Sequence, residues 1–71
     1  MTLSADERKM WLGHGGLSRV ARKTRRTLGH VSQVNRELRP DPVVVRAITR
    51  EITTKNPDIS PASVWPEKMS A

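Results

Sequence analysis

The apolar residues of this chain recur three and four positions apart, and nowhere do they alternate with polar ones for long enough to predict a strand. Val31, Val34 and Leu38 share an arc of about 60° at helical pitch, which predicts a helix over 28–38 with that stripe inward. Leu17, Val20, Ala21 and Thr24 form a second stripe over 17–24, and Val44, Val45, Ile48 and Ile52 a third over 42–54. Small Ala21 suits two helices crossing at a steep angle, where backbones approach closely.

Punctuation between the stripes places the helix ends. Ser4 and Glu7 have the spacing of a capping box, which starts a helix over 5–12 with Met10 and Trp11 turned inward, and Gly13, Gly15 and Gly16 stop it. Thr27 is the expected N-cap of the 28–38 helix, Pro40 closes that helix, and Asp41 with Pro42 opens the next. Ser60 and Pro61 repeat the device for a single turn that brings Val64 and Trp65 inward before Pro66. The expected fold is all-α, four to five short helices in one domain over 1–66, with 67–71 a flexible tail. The helices at 17–24 and 28–38 are too short to be stable alone, so they have to pack on each other.

Size and composition narrow the function. A chain of 71 residues buries only about 60% of its unfolded surface, and its aromatic residues are two tryptophans. A deep apolar substrate cavity is therefore not expected, and a binding surface is. Without cysteine there is no disulfide framework and no cysteine-based zinc or redox site. The polar opening Ser4–Lys9 and a longest apolar run of Val43–Val45 predict neither a signal peptide nor a membrane span, hence a cytoplasmic, nucleoid-associated protein.

Charge then points to a polyanion. Lys and Arg number 13 against 7 Asp and Glu, a net charge of +6. The stretch from Arg19 to Arg39 alone holds seven cations (Arg19, Arg22, Lys23, Arg25, Arg26, Arg36, Arg39) and one acid, Glu37, so the rest of the chain is neutral. Opposite the apolar stripe of the 28–38 helix lie Gly29, Ser32, Gln33 and Arg36. Gln pairs with adenine and Arg with guanine in bidentate fashion, and glycine permits close approach, so this face suits the major groove of duplex DNA. Arg19, Arg22, Lys23 and Arg26 form the outer face of the preceding helix and suit phosphates.

The spacing resembles that of the phage repressor and Cro-like helix-turn-helix family, the lambda-repressor-like DNA-binding domains: Val20-Ala21, then Val31 and Val34 ten and thirteen residues after the alanine. Arg39-Pro40-Asp41-Pro42 followed by Ile48 and Ile52 is similar to the fourth helix of such domains, and Ile59–Pro66 to the Trp-Pro ending of the small Ner-like phage regulators. The resemblance implies a helix-turn-helix over 17–38 with base contacts from Leu28, Gly29, Ser32, Gln33 and Arg36. It implies backbone contacts from Thr27 beside Arg19, Arg22, Lys23, Arg25, Arg26 and Arg39. Three positions depart from the pattern: Arg25 stands where the family has a glycine at positive φ, which costs about 1 kcal/mol or more if that conformation is kept, and Thr24 and Arg26 replace the usual apolar residues beside the turn.

The functional expectation is a sequence-specific regulator of transcription, a repressor or autorepressor of phage or bacterial origin that binds a palindromic operator as a homodimer. A small helix-turn-helix reads few base pairs, and two-fold dimers gain specificity from half-sites about 34 Å apart. An antitoxin-type interaction module with secondary DNA binding is the alternative, and a nonspecific RNA- or membrane-binding helix protein is the weakest reading. Trp11 and Trp65 are assigned to the core rather than to base stacking. His14 and His30 sit on different elements as surface residues, Gly13-His14-Gly15-Gly16 reads as an interhelical turn, and no serine has the partners of a nucleophile. No catalytic residue, metal, cofactor or small-molecule substrate is expected.

Overall fold

The structure, a computed structural model, describes residues 2–69. They form four α-helices, α1 (Ala5–Leu12), α2 (Gly16–Thr24), α3 (Leu28–Asn35) and α4 (Pro42–Lys55), then single 3₁₀ turns at Pro61–Ser63 and Glu67–Met69, with no strand among the described residues. The fold is all-α, as the periodicity predicts.

Of the caps read from the sequence, those of Ser4, Thr27 and Asp41 are formed, whereas the Ser60 side chain makes no cap hydrogen bond at the Pro61–Ser63 turn. Ser4 Oγ accepts from the Glu7 N–H at 3.2 Å while Glu7 Oε1 accepts from the Ser4 N–H at 2.9 Å. Thr27 Oγ1 accepts from the His30 N–H at 3.1 Å, and Asp41 Oδ1 from the N–H groups of Val43 and Val44 at 3.1 and 3.4 Å. Each satisfies donors that a helix start leaves without partners. Between α1 and α2, Gly16 is buried, and a Cβ there would lie 2.6 Å from Leu12 Cβ, so this crossing requires glycine.

Both α2 and α3 end in the same way. Arg25 has φ 57° and ψ 38°, and the N–H groups of Arg25 and Arg26 reach back to the carbonyls of Arg22 and Ala21 at 3.4 and 3.0 Å. Glu37 has φ 64°, and the N–H groups of Glu37 and Leu38 reach back to Val34 and Gln33, both at 2.9 Å. These are Schellman closures with a left-handed residue at the position glycine ordinarily fills. Arg25 therefore keeps the conformation that the family resemblance ascribes to a glycine.

The core is a layer of Leu12, Val20, Ala21, Val31, Val34, Val44, Val45, Ile48, Ile52, Val64 and Trp65. α4 packs against each of the other three helices, which sets α2 and α3 on a common support. Its inner stripe is the predicted one, and Val64 and Trp65 close the core from the 3₁₀ turn.

Three expectations are corrected. Met10 and Trp11 do not face inward; they are 63% and 38% exposed, and α1 instead buries Arg8 and Leu12, one turn apart. Leu38 is 67% exposed rather than part of the α3 stripe, because the turn at Glu37 ends α3 at Asn35 and swings the chain away from the core. The segment after Pro66 is not a free tail through Met69: Met69 packs against the core and Lys68 Nζ lies 3.4 Å from Glu37 Oε1. Ser70 and Ala71, the rest of the expected tail, lie outside the described residues.

Arg8 is fully buried and all five of its N–H donors are used. Nε donates to Asn35 Oδ1 (3.1 Å), one terminal nitrogen to the carbonyls of Leu3 (2.7 Å) and Val64 (3.0 Å), and the other to the Asn35 carbonyl (2.5 Å) and Glu37 Oε2 (2.8 Å). The guanidinium also lies over the Trp65 ring, 4.0 Å from its centroid. Asn35 Nδ2 in turn donates to the Ala5 carbonyl, and Trp65 Nε1 to Thr49 Oγ1. One side chain thus joins α1, the end of α3 and the C-terminal turn.

Candidate nucleic-acid interface

α3 divides sharply by solvent contact. Val31, Val34 and Asn35 are buried, whereas Leu28, Gly29 and Gln33, with Arg36 just past the last turn, are exposed and Ser32 is half-buried. The side chains of Ser32, Gln33 and Arg36 make no hydrogen bond or ion pair among the described residues. A Cβ added at Gly29 would meet nothing within 4 Å, so the fold itself does not require a glycine there. The structure brings together the five proposed base-reading positions on one solvent-facing surface.

The cations around that surface fall into two groups. Arg19 and Lys23 are turned toward Glu51 of α4, at 3.8 and 2.6 Å, and Arg19 also donates to the Leu12 carbonyl at 3.1 Å. Arg26 holds Asp41 at 3.0 Å and the Thr24 carbonyl at 2.9 Å. These three have structural duties, and their availability to phosphate is reduced accordingly. Arg22, Arg25 and Arg36 are exposed and have no carboxylate partner among the described residues. Arg39 donates to His30 Nδ1 at 2.9 Å, and exposed Thr27 uses its oxygen to cap α3 while keeping its O–H free to donate.

His30 is not the exposed surface histidine expected from the sequence. Its ring is half-buried, with Nε2 2.7 Å from Asp41 Oδ2, so the neutral Nε2–H form donates to Asp41 and accepts from Arg39. Asp41 is therefore both the cap of α4 and the tie that fixes α3 and the α2–α3 turn to it. No sequence signal marked this cluster, since its members lie on three elements.

Burial alone would raise the pKa of Asp41, but hydrogen bonds from His30, Arg26 and the Val44 N–H, with the charge of Arg26, lower it from 3.8 to about 2. A carboxylate whose folded value is depressed adds stability above its unfolded value and loses it as pH falls through the folded one. We expect the melting temperature to hold down to about pH 4 and to fall between about pH 4 and pH 2, and Asp41→Asn to flatten that part of the curve. Thermal melts followed by circular dichroism across this range check it. An unchanged slope for the variant would assign acid sensitivity to Glu37 and Glu51. Hydrogen bonds from Arg8 and Lys23 respectively lower those two, against opposing burial.

Among the described residues no set of three or more His, Asp or Glu side chains is placed to hold a metal ion, and no helix is long and apolar enough to cross a membrane. No protein-family model matches this chain, and neither a curated protein nor a solved structure matches it.

Proposed function

We propose that the protein binds duplex DNA sequence-specifically, through the outer face of α3, and regulates transcription by occupying an operator. The observation that carries this reading is that the α3 face holds readers the fold does not use. Leu28, Gly29, Ser32, Gln33 and Arg36 project from a helix whose other side is buried, and Arg22 and Arg25 flank it without ion-pair partners. In this reading Gln33 and Arg36 address base edges, Gly29 lets the helix approach, and Arg22, Arg25 and Thr27 hold phosphates. Lys23, Arg26 and Arg39 add long-range attraction while fixing the helices, and Arg19 is chiefly a tie to Glu51 and Leu12.

A homodimer on a palindromic operator supplies the specificity that one such surface lacks, and exclusion of polymerase is the simplest repressing mechanism.

Selection of bound duplexes from a random pool tests the whole reading, with a two-fold motif expected and no recovered motif counting against it. Two variants separate the roles. Gln33→Ala is expected to lose about tenfold or more on the selected site and nothing on random duplex. Arg22→Ala is expected to weaken both equally and to lower the salt slope by about one. Equal losses on both duplexes for Gln33→Ala would remove Gln33 from base reading.

A further inference from the structure

A groove of about 550 Å³ runs between the C-terminal end of α2 and the outer side of α4, and none of its lining residues belongs to α3. Its walls combine the apolar Val43 and Ala47 with the cations Lys23, Arg46, Arg50 and Lys55, the last of which donates to the Leu12 carbonyl. The one acidic residue lining it, Glu51, is engaged by Lys23 and Arg19. Arg46 and Arg50 stand one helical turn apart, are exposed, and make no hydrogen bond or ion pair among the described residues. Like charges at that spacing repel, and α4 offers no acid one turn away to relieve them, since positions 42 and 54 are Pro and Thr. Val43 is 42% exposed beside them and falls outside the stripe that α4 buries. The α4 helix therefore carries an outward face, part apolar and part cationic, in which Val43, Arg46 and Arg50 are exposed and Ala47 is half-buried against the core.

We infer that this groove is a docking surface for an acidic amphipathic helix of another protein. Such a helix lays its apolar stripe on Val43 and Ala47, and its flanking carboxylates meet the guanidinium forks of Arg46 and Arg50, a geometry that arginine forms in preference to lysine. Charge complementarity fixes the sign of the partner and the apolar residues fix its class. A phosphate backbone has no apolar surface to cover Val43 and Ala47, and a second copy presenting the same face brings cation against cation. The inference does not depend on the DNA reading: the groove shares no residue with the α3 face and, of the cations assigned to DNA, only Lys23, which Glu51 holds.

The test uses the full chain and three probes: a fluorescein-labelled helical peptide of about 18 residues with a leucine stripe flanked by glutamates, its glutamine counterpart, and a random duplex. The glutamate peptide is expected to bind at least about tenfold tighter than the glutamine one, and Arg46→Gln/Arg50→Gln to abolish that difference. Val43→Asp is expected to weaken peptide binding about tenfold, while duplex affinity of every variant stays within about threefold of the parent. Melting curves establish that each variant is folded. Equal binding of the two peptides overturns the proposal. So does a tenfold loss of duplex affinity in the arginine variant, which assigns the groove to phosphates. Self-association in sedimentation that Val43→Asp abolishes also overturns it, by giving the groove to a second copy.

Discussion

Arg8→Met is expected to lower the melting temperature by about 15–30 °C and to leave much of the protein unfolded at 37 °C. Removing one partner of a buried charge pair costs about 3–5 kcal/mol, and a domain of this size shifts by roughly 4–8 °C per kcal/mol. Total stability for such a chain is only about 4–11 kcal/mol. The loss is large because the substitution strips five acceptors at once: the carbonyls of Leu3, Asn35 and Val64, the side-chain oxygen of Asn35, and Glu37. Methionine fills much of the volume, so the loss reports hydrogen bonding rather than a cavity. Arg8→Lys is expected to recover only a minor part, because an ammonium has three donors and no planar fork. Thermal and urea melts of the three proteins check this, and a fall of less than about 5 °C for the methionine variant would show that the carbonyls find water instead.

The second expected result has two opposite signs. Moving the glycine, as Arg25→Gly/Gly29→Ala, should raise the melting temperature by about 5–10 °C while weakening binding to the selected DNA site by about a hundredfold. A left-handed conformation costs an L-residue about 1–2 kcal/mol, partly offset by the greater freedom of an unfolded glycine. Alanine in place of a helical glycine contributes up to about 1 kcal/mol, and Gly29 has open space around it to receive a methyl group. Both native residues thus lower stability at the exposed surface where DNA contact is proposed. Such exchange of stability for contact is common at binding sites. On the DNA side, the double variant loses one phosphate contact and places a methyl group where α3 has to approach the bases. A variant that is stabilised and still binds the selected site with parental affinity would leave both residues without a role in recognition.

How much of this was legible in the sequence depended on where the information lies along the chain. The stripes of α2, α3 and α4 are local, three and four residues apart, and tertiary packing reinforced them except at Leu38. So are the caps at Ser4, Thr27, Asp41 and Pro42, each of which acts within three residues. The division of α3 into Val31 and Val34 on one side and Gln33 and Arg36 on the other follows from the same period. What sequence reading missed is non-local or runs against residue type. Arginine on a short polar helix reads as surface, and the acceptors that make its burial tolerable lie between Leu3 and Val64. Once Arg8 takes the inner position of α1, Met10 and Trp11 are rotated outward. The end of α3 was placed three residues late because Leu38 continues the apolar period, whereas the left-handed Glu37 that ends the helix is held by Arg8 and Lys68 from elsewhere. Of the seven cations that made the region attractive, sequence alone could not say which were already engaged. Glu51 and Asp41, outside the motif, take three of them.

The reach of Arg8 also constrains the order in which the protein can be made. Its Val64 partner is 56 residues further along, and the Trp65 ring follows it. A chain synthesised from its N-terminus carries Arg8 as a solvated charge, with α1 and the end of α3 unjoined, until those residues have been added. The segment proposed to face DNA is then already complete but not yet tied to α1 and the C-terminal turn, so nascent chains that lack Val64 and Trp65 should be less stable than the full fold. The tie that Arg8 makes across the fold can form only after Val64 and Trp65 have been added.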